Sequence, residues 1–180
     1  MVTGKEDLMQ SLIEAYLMEK GTMEFYSRAA DKVIDPEVKK TFRSLSSWEE
    51  RHMDFIRFLY QSVMDDRDII GFEQFKDKTD TLFTEAGIPV KELEGRIEQK
   101  DFSNDMEAIT LALDIEGGAY RLYRGLSQSA GDSNARVVFQ EMMEYEAKHI
   151  DYLQKISVNY LKNVSVEYLK KMRERLTDNS

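Results

Sequence analysis

Residues 17–55 read LMEKGTMEFYSRAADKVIDPEVKKTFRSLSSWEERHMDF. The segment holds two helical patterns and the joint between them. Before the joint, Met23 and Tyr26 extend an apolar stripe begun by Leu8, Leu12, Ala15 and Tyr16, at the spacing of one helix face. At the joint, Asp35-Pro36-Glu37 supplies a capping side chain, a proline suited to the first helical position and an acid in the first turn. Beyond it, Phe42, Leu45, Trp48, Phe55, Ile56 and Leu59 form a second stripe. The pattern predicts helices over 5–33 and 36–63, folded back on each other as a hairpin.

The hairpin occurs twice. A shift of 97 positions without gaps lays Ala15 on Ala112, Glu19 on Glu116, Gly21 on Gly118 and Tyr26 on Tyr123. It also lays Asp35 on Asp132, Phe42 on Phe139, Glu49 on Glu146, His52 on His149 and Asp54 on Asp151. Trp48 meets Tyr145, and Arg51 meets Lys148. Cores of amphipathic hairpins resemble each other, which accounts for the apolar matches but not for repeated Glu and His at inward positions. The second copy predicts helices over 105–130 and 134–160. An Asn104/Glu107 capping box opens the first of these, and Gly131 closes it. A short final helix is expected over 166–176, capped by Ser165.

Together these make an all-α four-helix bundle of two repeated hairpins in one domain spanning 1–180. A twofold relation between hairpins needs the second and third helices to run parallel, so their connection must travel the length of the bundle. The segment 65–103, with Gly71, Gly87, Pro89 and room for a short helix around 91–99, is long enough to do so.

Composition removes several function classes. Of 180 residues, 42% are hydrophobic and 33% charged, the balance of a globular domain. The formal net charge of -9 opposes binding to nucleic acid, which needs a basic footprint. With no cysteine, disulfides, iron–sulfur clusters and thiol chemistry are excluded. No leader or membrane-spanning pattern is read in the sequence, so a cytoplasmic protein without membrane partners is expected.

The chemistry rests on six residues. His52 and His149 are the chain's two histidines, and each follows a glutamate by three positions, Glu49 and Glu146. Residues i and i+3 share a helix face, so each pair aims a carboxylate and an imidazole the same way. Register adds Glu19 and Glu116. At ~1.5 Å per residue, Glu19, Glu49 and His52 lie about 22–26 Å from the 34–35 turn, and Glu116, Glu146 and His149 stand likewise about the 131–132 turn. One layer of the bundle core therefore receives all six. Clustered buried carboxylates repel one another and lose hydration. Two divalent cations would neutralise four of them, and oxygen-plus-imidazole ligation suits iron, with manganese or zinc as alternatives.

The motifs Glu19 with Tyr26, Glu49-x-x-His52, Glu116 with Tyr123 and Glu146-x-x-His149 resemble the di-iron domain of the rubrerythrin family, within the ferritin-like superfamily. Residues 17–55 carry the closest likeness, and the similarity extends over about 8–161. It implies a ferritin-like fold, and Glu19, Glu49, His52, Glu116, Glu146 and His149 as ligands of two metal ions, with Glu49 and Glu146 bridging them. This ligand scheme is an established template for ferritin-like carboxylate bundles. Tyr26 and Tyr123 are candidates to hydrogen-bond the ligand carboxylates. Trp48, Tyr120 and Tyr145 read as packing residues.

The resemblance implies reduction of hydrogen peroxide or dioxygen, with electrons from an external donor such as a rubredoxin, in a homodimer or higher homo-oligomer. Two departures bear on this. The family's four-cysteine rubredoxin domain has no counterpart in a chain without cysteine. The family's additional glutamate, three residues after the third helix's ligand, is Ala119 here. The resulting one-histidine-per-metal site is closer to the bacterioferritin type, so ferroxidase-like iron binding or storage is the alternative reading.

Overall fold

A computed structural model describes residues 5–64, 105–131 and 133–177. They form four helices, α1 (Lys5–Lys32), α2 (Pro36–Met64), α3 (Asp105–Ser129) and α4 (Ser133–Thr177). The chain is an all-α, ferritin-like bundle built from the hairpins α1–α2 and α3–α4. The predicted crossover and its short helix, the glycines and proline within it, and the Asn104 cap lie outside the described residues.

The turn between α1 and α2 forms as its sequence dictates. The Asp35 carboxylate accepts hydrogen bonds from the backbone N–H of Glu37 (2.8 Å) and Val38 (3.1 Å), and Pro36 opens α2. A cap of this kind is worth about 1 kcal/mol. A second carboxylate grips the same turn from the other hairpin. Asp105, buried at the start of α3, accepts from Ile34 N (3.0 Å) and Asp35 N (2.6 Å). This contact fixes topology. It sets the first residue of α3 beside the start of α2, so the two helices begin at the same end of the bundle and run parallel, as the repeat requires.

Two apolar clusters fill the interior. One contains Phe25 and Ala29 of α1, Val33 just after it, Val38, Phe42 and Leu45 of α2, Ala108, Ala112 and Ile115 of α3, and Leu153 of α4. The other contains Leu8, Leu12 and Tyr16, then Met53, Ile56 and Tyr60, then Ala119 and Tyr123, then Phe139 and Met142. On every helix the sequence passes from one cluster to the other across the predicted ligand positions. The charged layer is thus sandwiched between two oily ones.

One element differs from expectation. The fourth helix does not stop near 160 and restart at 166; α4 is continuous for 45 residues. Its sequence contains no glycine or proline to break it. Ser165 is not a cap: its hydroxyl donates to the Leu161 carbonyl at 2.8 Å, one turn back within the helix. Contacts from α4 to the Asp105 end of the bundle fall near Ser157, whose Oγ lies 3.6 Å from Met106 Sδ, and Tyr160. About 17 further residues therefore extend some 25 Å past that end. They leave Leu161, Val164, Val166, Tyr168 and Leu169 exposed.

Candidate metal centre

All six candidate ligands meet in one buried layer. Glu19, Glu49, Glu116 and Glu146 are each 0% exposed, and His52 and His149 are 6% and 4% exposed. They divide into two overlapping groups, Glu19/Glu49/His52/Glu146 and Glu49/Glu116/Glu146/His149.

Each imidazole Nδ1 stands among three carboxylate oxygens from three different helices. His52 Nδ1 lies 3.3 Å from Glu19 Oε2, 2.9 Å from Glu49 Oε2 and 3.2 Å from Glu146 Oε1. His149 Nδ1 lies 3.2 Å from Glu49 Oε1, 3.2 Å from Glu116 Oε2 and 3.3 Å from Glu146 Oε2. One Nδ1 has at most one hydrogen to give, so these six distances are not six hydrogen bonds. Both carboxylate oxygens of Glu49 and of Glu146 are in fact buried without a hydrogen-bond partner. Orphaned buried carboxylate oxygens are costly and call for an occupant.

A cation fits the spacing. Atoms bonded to one metal at about 2.0–2.2 Å lie about 2.8–3.6 Å from one another in octahedral or tetrahedral arrangement. The observed 2.9–3.3 Å separations are edges of such a figure. Glu49 and Glu146 each turn one oxygen to the His52 group and the other to the His149 group, which is the arrangement of bridging carboxylates. Glu19 and Glu116 each belong to one group only.

The tyrosines tie the hairpins together crosswise. Tyr26 of α1 donates to Glu116 Oε1 of α3 at 2.6 Å, and Tyr123 of α3 donates to Glu19 Oε1 of α1 in a short hydrogen bond. Each phenol thereby occupies one oxygen of the carboxylate in the opposite repeat. The other oxygen of that carboxylate faces the histidine of its own hairpin.

The electrostatics of the metal-free layer follow from burial and crowding. Burial, with the charges of Glu116 and Glu19, pushes Glu49 up to about 7. Burial and Glu116 push Glu146 well above the carboxylate range. Burial opposes ionisation of Glu116 too, but hydrogen bonding and charge from His149 outweigh it and hold Glu116 low. Burial alone would lower the histidines. The surrounding glutamates prevail, raising His52 strongly and His149 to about 12. Without metal, protons must serve as the counter-ions that the carboxylates demand.

Around the imidazoles lies a feature the sequence reading did not reach. Trp48 stacks on His149 at 5.1 Å, His149 on His52 at 5.0 Å, and Tyr145 tilts against His52 at 5.5 Å. The four rings form a row that alternates between α2 and α4. Trp48 and Tyr145 are repeat equivalents, and each supports the histidine of the other hairpin. The signal was present in their shared position four residues before a histidine, but the partner of each ring is a tertiary fact. Asp54 and Asp151 are exposed, as expected of solvated residues, and Ala119 is buried in the apolar cluster with Leu12 and Tyr16.

Residues 1–81 match the family model described as Rubrerythrin. Over these residues, which hold the first hairpin, the chain is similar to the rubrerythrin family. The matched span contains Glu19, Tyr26, Glu49 and His52; the second half of the candidate site comes from the repeat beyond it. The chain is also similar in structure to a hypothetical protein from Pyrococcus furiosus, with a TM-score of 0.62 and 17% identity over 86% of this chain and 90% of that one. That likeness concerns the fold. No curated protein matches the chain. The family and the buried Glu/His groups together support a di-metal protein. Among the described residues, no helix is long and apolar enough to cross a membrane.

Proposed function

We propose that this protein is a di-iron peroxide reductase, taking electrons from an external donor. The observation that carries the reading is the pair of carboxylates, Glu49 and Glu146, each shared between two equivalent Glu/His groups. Such sharing would couple two bound metals instead of holding two independent ions. A ferrous pair bound there would supply two electrons together, the number required, with two protons, to convert hydrogen peroxide into two molecules of water. Iron is favoured over zinc because this use of the site needs redox chemistry.

The protein's own residues prepare the site. Tyr26 and Tyr123 fix the rotamers of Glu116 and Glu19, and the apolar clusters on either side exclude water from the layer. The ring row of Trp48, His149, His52 and Tyr145 holds both imidazoles with Nδ1 toward the carboxylates. The chain has no cysteine and no nucleotide-binding fingerprint, so re-reduction comes from a partner such as a rubredoxin.

Ferroxidase-like iron binding or storage is the second reading, favoured by Ala119 in place of the family's additional glutamate and by the symmetry of the two groups. Stopped-flow oxidation of the anaerobic ferrous-loaded protein separates the two. The peroxidase reading expects oxidation by peroxide to be much faster than by dioxygen. It also expects one turnover per site with NAD(P)H and peroxide alone, and sustained turnover when rubredoxin and its reductase are added. Uptake of iron well beyond two per chain, with no turnover from any donor, would replace it with storage.

A further inference from the structure

The histidines form the floor of an open groove between α2 and α4 with a volume of about 440 Å³. Hydrogen peroxide, two heavy atoms, occupies little more than the ~30 Å³ of a water molecule. A volume in the several-hundred range is what organic ligands fill, commonly ~300–1,000 Å³. The lining matches such a guest. Its walls are the side chains of Trp48, Phe55 and Tyr145.

The rim adds charge. Arg51 and Lys148, repeat equivalents one residue before each histidine, both border the groove and are exposed. Arg51 Nε reaches only the Ser47 carbonyl, at a long 3.4 Å, and Lys148 Nζ lies 4.6 Å from the centre of the Tyr145 ring. Neither has a carboxylate partner among the described residues. One acid, exposed Glu141, also borders the groove, leaving two cations against one anion in a chain of net charge -9. Cations placed on both sides of an aromatic trough, against the charge of the whole protein, select a guest with an apolar body and an anionic head.

We propose that the groove binds amphiphilic organic carboxylates, and that the substrate class of this site is organic hydroperoxides of that type. The head group sits between Arg51 and Lys148, and the apolar body lies along Trp48, Phe55 and Tyr145 toward the imidazoles. The reaction breaks the O–O bond of ROOH. A ferrous pair held by the Glu/His groups would supply the two electrons, to be restored by the external donor, that with two protons convert ROOH into ROH and water. This substrate assignment rests on the peroxide-reducing reading above; the binding site does not, and binding is measured without iron.

Trp48 is the only tryptophan of the chain, so its fluorescence reports on the groove alone. Full-length protein, stripped of metal with chelator, is titrated with octanoate, octanol and octylammonium. Octanoate is expected to change Trp48 emission saturably and to protect it from acrylamide quenching. Octanol should bind more weakly and octylammonium weakest. The R51E/K148E double variant should bind octanoate at least about tenfold more weakly, while its circular dichroism and melting remain those of the parent, and conservative R51K should retain most of the affinity.

Equal affinity for octanoate and octylammonium, or no saturable response, overturns the proposal. So does Trp48 that is already shielded at high protein concentration and becomes accessible on dilution, which would show the groove to be sealed by a second copy. If octanoate binds but the protein takes up no iron, the di-iron reading fails and the carboxylate site stands. If iron loads and hydrogen peroxide is reduced while octanoate fails to bind, the reverse holds.

Discussion

The two hairpins of this bundle are alike where they meet and different where they do not. In the ligand layer each supplies one lone glutamate, one Glu-x-x-His pair, one tyrosine for the opposite repeat and one aromatic ring for the opposite histidine. Away from that layer the likeness lapses. The second hairpin carries Asp105, which reaches the turn of the first, whereas the position equivalent to it in the first hairpin is Leu8. Helix α2 is described as far as Met64, and its counterpart α4 runs to Thr177, well past the Asp105 end of the bundle. The duplicated chemistry is held to a twofold pattern because each half completes the other. The ends, which complete nothing, have diverged.

The largest expected effect tests whether the two halves share their metals. Glu49→Ala and Glu146→Ala each remove a carboxylate that faces both groups, so each variant should lose both ions. His52→Ala and His149→Ala should each retain one. Ferrous titration with metal analysis reads the stoichiometry directly. Similar, small losses across all four variants would mean that the groups are not coupled through Glu49 and Glu146.

Metal removal gives the next effect, and its pH dependence has a definite sign. Glu49 rises from 4.5 unfolded to about 7 in the metal-free fold. Its stability contribution is therefore greatest below about pH 4.5 and is lost as pH rises toward 7. Glu146 is shifted the same way. The histidines, also raised, contribute fully below their unfolded value of 6.5 and progressively less as pH climbs toward their folded values. Glu116, held low, loses its contribution only as the solution turns acidic below its unfolded value of 4.5. Chelator-treated protein should therefore melt lower at about pH 7.5 than at about pH 5.5, and the gap to metal-loaded protein should widen with pH. A gap that stays constant would show that the carboxylates are not clustered in solution.

Tyr26→Phe and Tyr123→Phe sharpen the comparison at smaller scale. Each removes one hydrogen bond to a candidate ligand, a class of change that weakens metal affinity by about 10–100-fold. The two losses should be equal, and each should fall on the ion of the opposite hairpin. Unequal losses would reveal that the two groups are not functional equivalents. Asp105→Ala, which has no partner in the repeat, should leave metal affinity unchanged and cost about 1–3 kcal/mol of stability through the two backbone N–H groups it abandons. Denaturant unfolding of the metal-free protein measures it.

Much of this was legible in the sequence because it is periodic or duplicated. Helical stripes locate the four helices, and the 97-residue shift by itself brings the six candidate ligands to one level. Asp35 and Pro36 announced their turn through local chemistry. What stayed hidden depends on contacts between hairpins. Asp105 reads as an ordinary first-turn acid, and only the packing shows that its acceptors serve the Ile34–Asp35 turn. The crosswise donation by Tyr26 and Tyr123, and the placement of Trp48 on His149, require the relative rotation of two hairpins, which no one-dimensional pattern encodes. The expected break near 160 failed for a different reason: the apolar pattern changes there, but nothing in the chain opposes continued helix, and Ser165 satisfies its hydroxyl internally.

The long fourth helix also makes the molecule a ruler. Thr177 lies 28 residues beyond His149 along a single helix, about 42 Å at the rise of an α-helix. A spin label or fluorophore attached there would report its separation from a paramagnetic ion in the bundle without touching the ligand layer. A redox protein fused there would begin its own fold far from the electrons' destination, and would need a tether long enough to double back along the whole barrel of helices.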